Sequence, residues 1–295
     1  MNRITICLRS IFILLLLIAN TVSANDTSIR VVTSFSILED LVKELGAEHV
    51  SVVNLVGRNS DAHTYQPKPS DAVAIAKADL VVFNGLAFEG WMARLIKNSG
   101  YKNNQLIASQ GTDVIMHGEE PDPHAWQSFH NARIYVDNIT RTLIKLRPQH
   151  AAAFTQRQQQ YLKKLNDLEQ HLVKQIKNIP PNKRIVVTSH DAFGYLGREF
   201  DIQFLAPLGL SIETEASAED VAAVINQIRK KNVKALFVEN IYNPRLLQRI
   251  AAETGVTVGG RLYSDALSEA DGPASSYLNM MRHNMESLVA SLKIH

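Results

Sequence analysis

The sequence predicts an α/β protein of two lobes. Each lobe has a central, mainly parallel sheet flanked by helices, and one long backbone helix joins the two. Three observations carry this. Short β-rich runs alternate with amphipathic segments in the first half, the same rhythm returns in the second half, and an unbroken helical stripe lies between them.

Residues 30–35 read as a buried strand. Ser36 and Glu39 then read as a capping box opening a helix through Leu45, with Gly46 as its stop. Residues 50–56 form the next strand, Ser70 caps a helix through Lys77, and residues 80–83 are a third strand ending at Asn84-Gly85. Residues 89–97 fit another helix. From 148 to 179 the apolar positions Phe154, Tyr161, Leu165, Leu168, Leu172, Ile176 and Ile179 keep helical spacing, opened by Pro148 and stopped by Pro180-Pro181. At about 1.5 Å per residue this makes a rod of roughly 48 Å, long enough to cross the back of two lobes. A coiled-coil dimer is the other reading of that stripe. Beyond it, residues 184–188 are a strand, and Ser217 with Asp220 is a second capping box opening a helix to Lys231. Residues 235–238 and 257–262 are strands, and 244–254 and 274–292 are helices.

The first residues carry Arg3 and Arg9, an apolar run over 11–19 and the small-residue patch Val22-Ser23-Ala24. This predicts a signal peptide over residues 1–24 and an exported, periplasmic protein. The run is short for a bilayer span, which takes roughly 20 apolar residues. The only cysteine, Cys7, precedes the run, which argues against a lipid anchor. The expected domains are thus an N-terminal lobe over 25–147, the linking helix over 148–179 and a C-terminal lobe over 180–295.

Without the leader the chain carries 29 basic and 29 acidic residues, which gives no electrostatic ground for nucleic-acid binding. It would also hold no cysteine, so a bound transition metal must rely on imidazole and carboxylate. His63 follows the strand over 50–56, His190 follows the strand over 184–188, and Asp265 follows the strand over 257–262. In open α/β sheets ligands bind beyond the carboxyl ends of strands. His124, after Pro123, completes a set drawn equally from the two halves, with a cleft between the lobes to receive an ion.

Isolated histidines are ordinarily surface residues, and His49, His150, His171, His283 and His295 are read so. Asp191 beside His190 is read as a helix cap, with a supporting role towards a ligand as the alternative. Glu239, at a strand end, is either a solvated terminus or an acceptor for a ligand imidazole. Trp91 and Trp126 fit lobe core or cleft wall, and Asp113, Glu213 and Glu215 read as loop charges.

The stretches DAHTYQPKPSD, NGLAFEGWM, DPHAW, TSHDAFGYL and YSDAL resemble, in order and through essentially the whole exported chain, the bacterial ABC-importer solute-binding proteins for zinc or manganese (cluster A-I, ZnuA/TroA-like). The resemblance implies two lobes on a rigid linking helix and a non-enzymatic, monomeric protein. It also implies delivery of a divalent metal to a membrane permease served by a cytoplasmic ATPase. By position, His63 and His124 would be the ligands from the first lobe, and His190 and Asp265 those from the second. A histidine at position 190 goes with zinc, a glutamate with manganese. Three imidazoles and a carboxylate suit tetrahedral zinc, whereas manganese prefers more oxygen. Manganese or iron is the alternative cargo, and a zinc hydrolase the reading from another class. No HExxH or base motif supports the hydrolase. Two features depart from zinc-specific members: the acidic, histidine-bearing loop is only Met116 to Pro123, and no C-terminal disulfide can form. Gln127-Ser-Phe-His130 also replaces the usual acid–proline pair, which makes His130 either a surface residue or a substitute ligand.

Overall fold

The computed structural model describes residues 28–211, 216–233 and 235–293. The expected signal peptide, Glu213, Glu215 and His295 lie outside the described residues.

The first sheet is built from β1 (Ile29–Phe35), β2 (Val50–Val56), β3 (Leu80–Phe83) and β4 (Asn104–Ile107), all parallel, in the order β2-β1-β3-β4. Ile29, Val31, Val32 and Phe35 are all buried, as expected of a central parallel strand covered on both faces. Three helices flank it: α1 (Ser36–Gly46), α2 (Pro69–Lys77) and α3 (Met92–Ser99). A two-residue hairpin, β5 (Met116–His117) with β6 (Glu120–Pro121), leads to α4 (Phe129–Leu146). The long helix α5 (Ala151–Ile176) follows. The second sheet uses β7 (Ile185–Val187), β8 (Gln203–Leu205), β9 (Ala235–Glu239) and β10 (Thr257–Leu262), again parallel, in the order β10-β9-β7-β8. Helices α6 (Gly194–Phe200), α7 (Ala218–Lys231), α8 (Arg245–Thr254) and α9 (Tyr277–Lys293) complete the chain.

Several local expectations fail for identifiable reasons. Ser36 is not a cap. It is already helical, and its buried hydroxyl accepts the Leu267 N–H at 2.9 Å. Ser70 is likewise inside α2; the side chain that closes that helix start is Asp71, which accepts the Lys68 N–H at 2.6 Å. The helix expected from Glu89 begins three residues later. The Glu89 carboxylate is buried, accepting from the Ser34 hydroxyl and from the Asn84 and Gly85 N–H groups. Asp191 caps nothing: α6 starts at Gly194, with Phe193 at its cap. The capping box of Ser217 and Asp220 forms as expected, each side chain accepting the other's N–H at 3.1 Å.

The linking rod is shorter than its stripe. Pro148–His150 is a 3-10 turn, and the α-helix covers 26 residues, about 39 Å at 1.5 Å per residue. Its buried positions are Phe154, Tyr161, Leu165, Leu168, Leu172 and Ile176, which pack against α4, α1 and α9. The stripe that a coiled coil would need is therefore filled within the chain. One hydrophobic core runs from the first sheet past α5 to Val186, Ala235 and Phe237 of the second sheet. A smaller cluster, including Val187, Leu236, Val224 and Leu247, fills the other face of that sheet under α7 and α8.

Candidate metal centre

Both sheets reverse strand order at a point between their first strand and the strand on its other side, and the site grows from these two switch points. In the first sheet, β1 and β3 end side by side, and Glu89 ties Ser34 to Asn84 there. Asn84 donates its amide to Pro123 O at 2.9 Å and accepts from the Tyr135 hydroxyl, which fixes the segment bearing His124. In the second sheet, His190 leaves β7 while β9 ends at Glu239, next to it.

The four candidates converge. His63, His124, His190 and Asp265 each offer a donor atom within 4.8 Å of all the others, and all four residues are buried. Nε2 of His63 lies 3.4 Å from Nε2 of His124. Asp265 Oδ2 lies 3.5 Å from His63 Nε2 and 3.3 Å from His190 Nε2, and Oδ1 lies 3.6 Å from His124 Nε2. His190 Nε2 and both Asp265 oxygens have no hydrogen-bond partner among the described residues. Buried polar atoms are rarely left so, because the desolvation cost goes unrecovered.

Each candidate's loop has its own support. The Asp61 carboxylate accepts the His63 N–H, and the Asp122 carboxylate accepts the His124 N–H, both at 2.9 Å. Asp122 Oδ1 also bonds His124 Nδ1 at 2.8 Å, so the opposite nitrogen faces the cluster. The Trp91 indole donates to Ala62 O at 2.8 Å, and the His63 ring meets Phe88 edge-on at 4.5 Å. On the other side, Glu239 Oε1 accepts the N–H groups of Ser189 and His190, and Oε2 lies 2.7 Å from His190 Nδ1. The Asp265 segment is held through Ser264 O, which accepts from the Trp126 indole at 2.9 Å and the Gln127 amide at 2.7 Å. Burial pulls the His190 imidazole towards neutrality, but the adjacent Glu239 and Asp265 carboxylates outweigh it and hold its pKa well above the usual histidine range. Burial likewise opposes ionisation of Asp265, yet the His124 and His190 rings beside it hold that carboxyl well below its usual range. Three carboxylates thus stand with three imidazoles in a buried volume, and a dication would offset most of their negative charge.

The remaining candidates separate from the site. His130 is exposed on α4. Glu239 is buried behind His190 as the acceptor reading required, so the solvated-terminus reading fails. His117 sits on the exposed hairpin, 3.9 Å from Asp191. His49 and His150, expected at the surface, stack at 3.9 Å and are half-buried. Sequence reasoning passed over Asp61 and Asp122. Their signal is the spacing Asp-x-His, which occurs at both N-terminal candidates.

A buried cluster of three imidazoles and one carboxylate between two parallel-sheet lobes has the donor set of a metal-binding protein. The sequence matches, over residues 31–291, the family described as zinc-uptake complex component A, periplasmic. The chain belongs to that family and is a metal-binding substrate-binding protein of ABC importers. It is 32% identical to the manganese-binding lipoprotein MntA of Bacillus subtilis, over 91% of each chain. Among solved structures, the periplasmic zinc-binding protein TroA from Treponema pallidum superposes with a TM-score of 0.86 at 28% identity, covering 90% of this chain and 99% of that one. The manganese-bound periplasmic metal-binding protein from Candidatus Liberibacter asiaticus gives 0.82 at 32% identity, covering 90% and 100%.

Proposed function

We propose that this protein is the periplasmic carrier of one divalent ion, zinc in the first instance, and hands it to a membrane permease driven by a cytoplasmic ATPase. His63, His124 and His190 donate Nε2, and Asp265 supplies oxygen and negative charge. The observation that carries this reading is the spacing of donors left without other partners. A tetrahedron with metal–ligand bonds of about 2.0–2.1 Å has six edges of ~3.3–3.4 Å; the His63–His124, His63–Asp265 and His190–Asp265 donor pairs lie 3.3–3.5 Å apart, and all four donors lie within 4.8 Å of one another. Four protein donors fill a tetrahedral shell, so the role is capture rather than catalysis; a zinc hydrolase needs an open position for water. The filled stripe on α5 favours action as a monomer.

Manganese is the second reading, and one feature favours it. The two Asp265 oxygens face different imidazoles, so a bidentate carboxylate would raise the donor count to five. X-ray absorption on the zinc-loaded and manganese-loaded protein separates these readings. Three nitrogens and one oxygen around zinc, without water, support the carrier. A water in the zinc shell would return the hydrolase. Release requires at least one ligand to let go, and movement of the loop that carries Asp265, the one anionic donor of the four, is assigned that step. Asp265→Ala then speeds release into a chelator more than it slows binding, and an unchanged off-rate in stopped flow would sink the assignment.

A further inference from the structure

Resting on that reading, we infer that Arg58 and Asn59 are positioning residues that latch the Asp265 segment over the bound ion and set its rate of release. Neither residue reaches the donor cluster. They stand five and four residues before His63, and they hold the chain two to ten residues beyond Asp265. A single nitrogen of the Arg58 guanidinium, Nη1, donates to Ser268 O at 2.6 Å and to Ser275 O at 2.9 Å. These two carbonyls flank the neck of a closed loop: the Ser268 N–H donates to Ala274 O, and the Ala274 N–H donates to the Ser268 hydroxyl, each at 3.0 Å. Arg58 thus bridges both sides of the neck with charge-assisted bonds.

Asn59 adds a second fastening. Its N–H donates to Leu267 O at 3.0 Å, its amide donates to Glu269 Oε1 at 3.3 Å, and its side-chain oxygen accepts from Asn240 at 3.1 Å. Asn240 also donates to Ala266 O at 3.1 Å. Asn59 has φ of 51°, a left-handed conformation that asparagine tolerates better than most residues. The consequence is mechanical. The loop of His63 and the loop of Asp265, which meet at 3.5 Å in the cluster, are also fastened to each other outside it. Asp265 cannot withdraw while those bonds persist. Asn59 and Glu269 are exposed, so a docking partner can reach the latch without entering the site.

The test is release of zinc into a chelator, followed by stopped flow, for the unaltered protein, Arg58→Ala, Arg58→Lys and Asn59→Gly. The expected result is an off-rate about tenfold higher in Arg58→Ala, as loss of charge-assisted bonds implies, with the on-rate, one-to-one stoichiometry and metal-free melting temperature unchanged. Arg58→Lys falls between the two. Asn59→Gly keeps the N–H on Leu267 and its backbone conformation, loses only the side-chain ties, and raises the off-rate by about two- to threefold. If Arg58→Ala does not fold, Asn59→Gly decides. Normal loading with an unchanged off-rate overturns the latch, as does a faster release matched by a lower metal-free melting temperature. Failure of the unaltered protein to bind any metal overturns instead the reading on which the latch rests.

Discussion

The two histidines deepest in the site are supported in different ways. His124 rests on Asp122, two residues away, which accepts both its N–H and its Nδ1. His190 rests on Glu239, 49 residues away at the end of another strand, which accepts two backbone N–H groups and faces Nδ1. His63 shows a third arrangement: Asp61 fixes its backbone and Phe88 its ring, and it retains 7% exposure where His124 and His190 have none. The carboxylates behind His63 and His124 thus come from two residues away, whereas the one behind His190 comes from the end of an adjacent strand. A local turn can form before the sheet does. The His190 support exists only once β7 and β9 are paired.

This contrast predicts a graded response to substitution. The largest effect is expected from the imidazoles themselves: His124→Ala and His190→Ala each weaken zinc binding by more than about a hundredfold in calorimetry. Equal binding by either variant would break the four-ligand site. Next come the carboxylates behind them. Glu239→Gln keeps an acceptor for the two N–H groups but turns an amide towards Nδ1; Asp122→Asn can keep the single oxygen that serves both the His124 N–H and Nδ1 and removes its charge. Each lowers affinity by about ten- to hundredfold. If Glu239→Gln costs nothing, the long-range support is ornamental and the contrast collapses.

Acidity gives a third, intermediate handle. A proton on His190 must leave before metal binds, and its pKa is held above the usual histidine range of about 6.5. Affinity therefore rises with pH and begins to fall, on acidification, at a higher pH than an ordinary histidine would dictate. Titrations between about pH 5.5 and 8 check this; a fall confined below pH 6 would contradict the charge balance at His190. The smallest effect on the site is Asp61→Ala, with about a threefold loss, because it frees one turn and no ring nitrogen.

Away from the site, the α6 residue Glu199 accepts the Phe129 N–H at 2.8 Å. Burial, opposed by that N–H and reinforced by Glu169, pushes its carboxyl from 4.5 to about 7. The folded state then holds a proton that the unfolded chain releases, so stability of the metal-free protein declines as pH rises from about 4.5 to 7. Glu199→Gln should flatten that part of the melting profile.

Much of this was legible in the sequence. Most strand positions and the helices over α7 and α8 follow from period and capping; His63, His190 and Asp265 stand out by their places after strands, and His124 by its place after Pro123 and by the family resemblance. What escaped depended on distant partners. Ser36 looked like a cap, but its hydroxyl serves Leu267; Glu89 looked like a helix start, but it joins two strand ends. Short elements such as β4, β8 and α6 carry too few residues to show a period. Glu239 was seen as one of two options because nothing local distinguishes a buried acceptor from a solvated strand end.

The most direct test is a calorimetric titration of the metal-free protein with zinc and with manganese separately, with His190→Ala alongside. The expected result is one tight zinc site per chain, weaker manganese, and a large loss for both metals in the variant. Manganese binding as tight as zinc would move the cargo to manganese within the same site, and undiminished binding in His190→Ala would contradict the site itself.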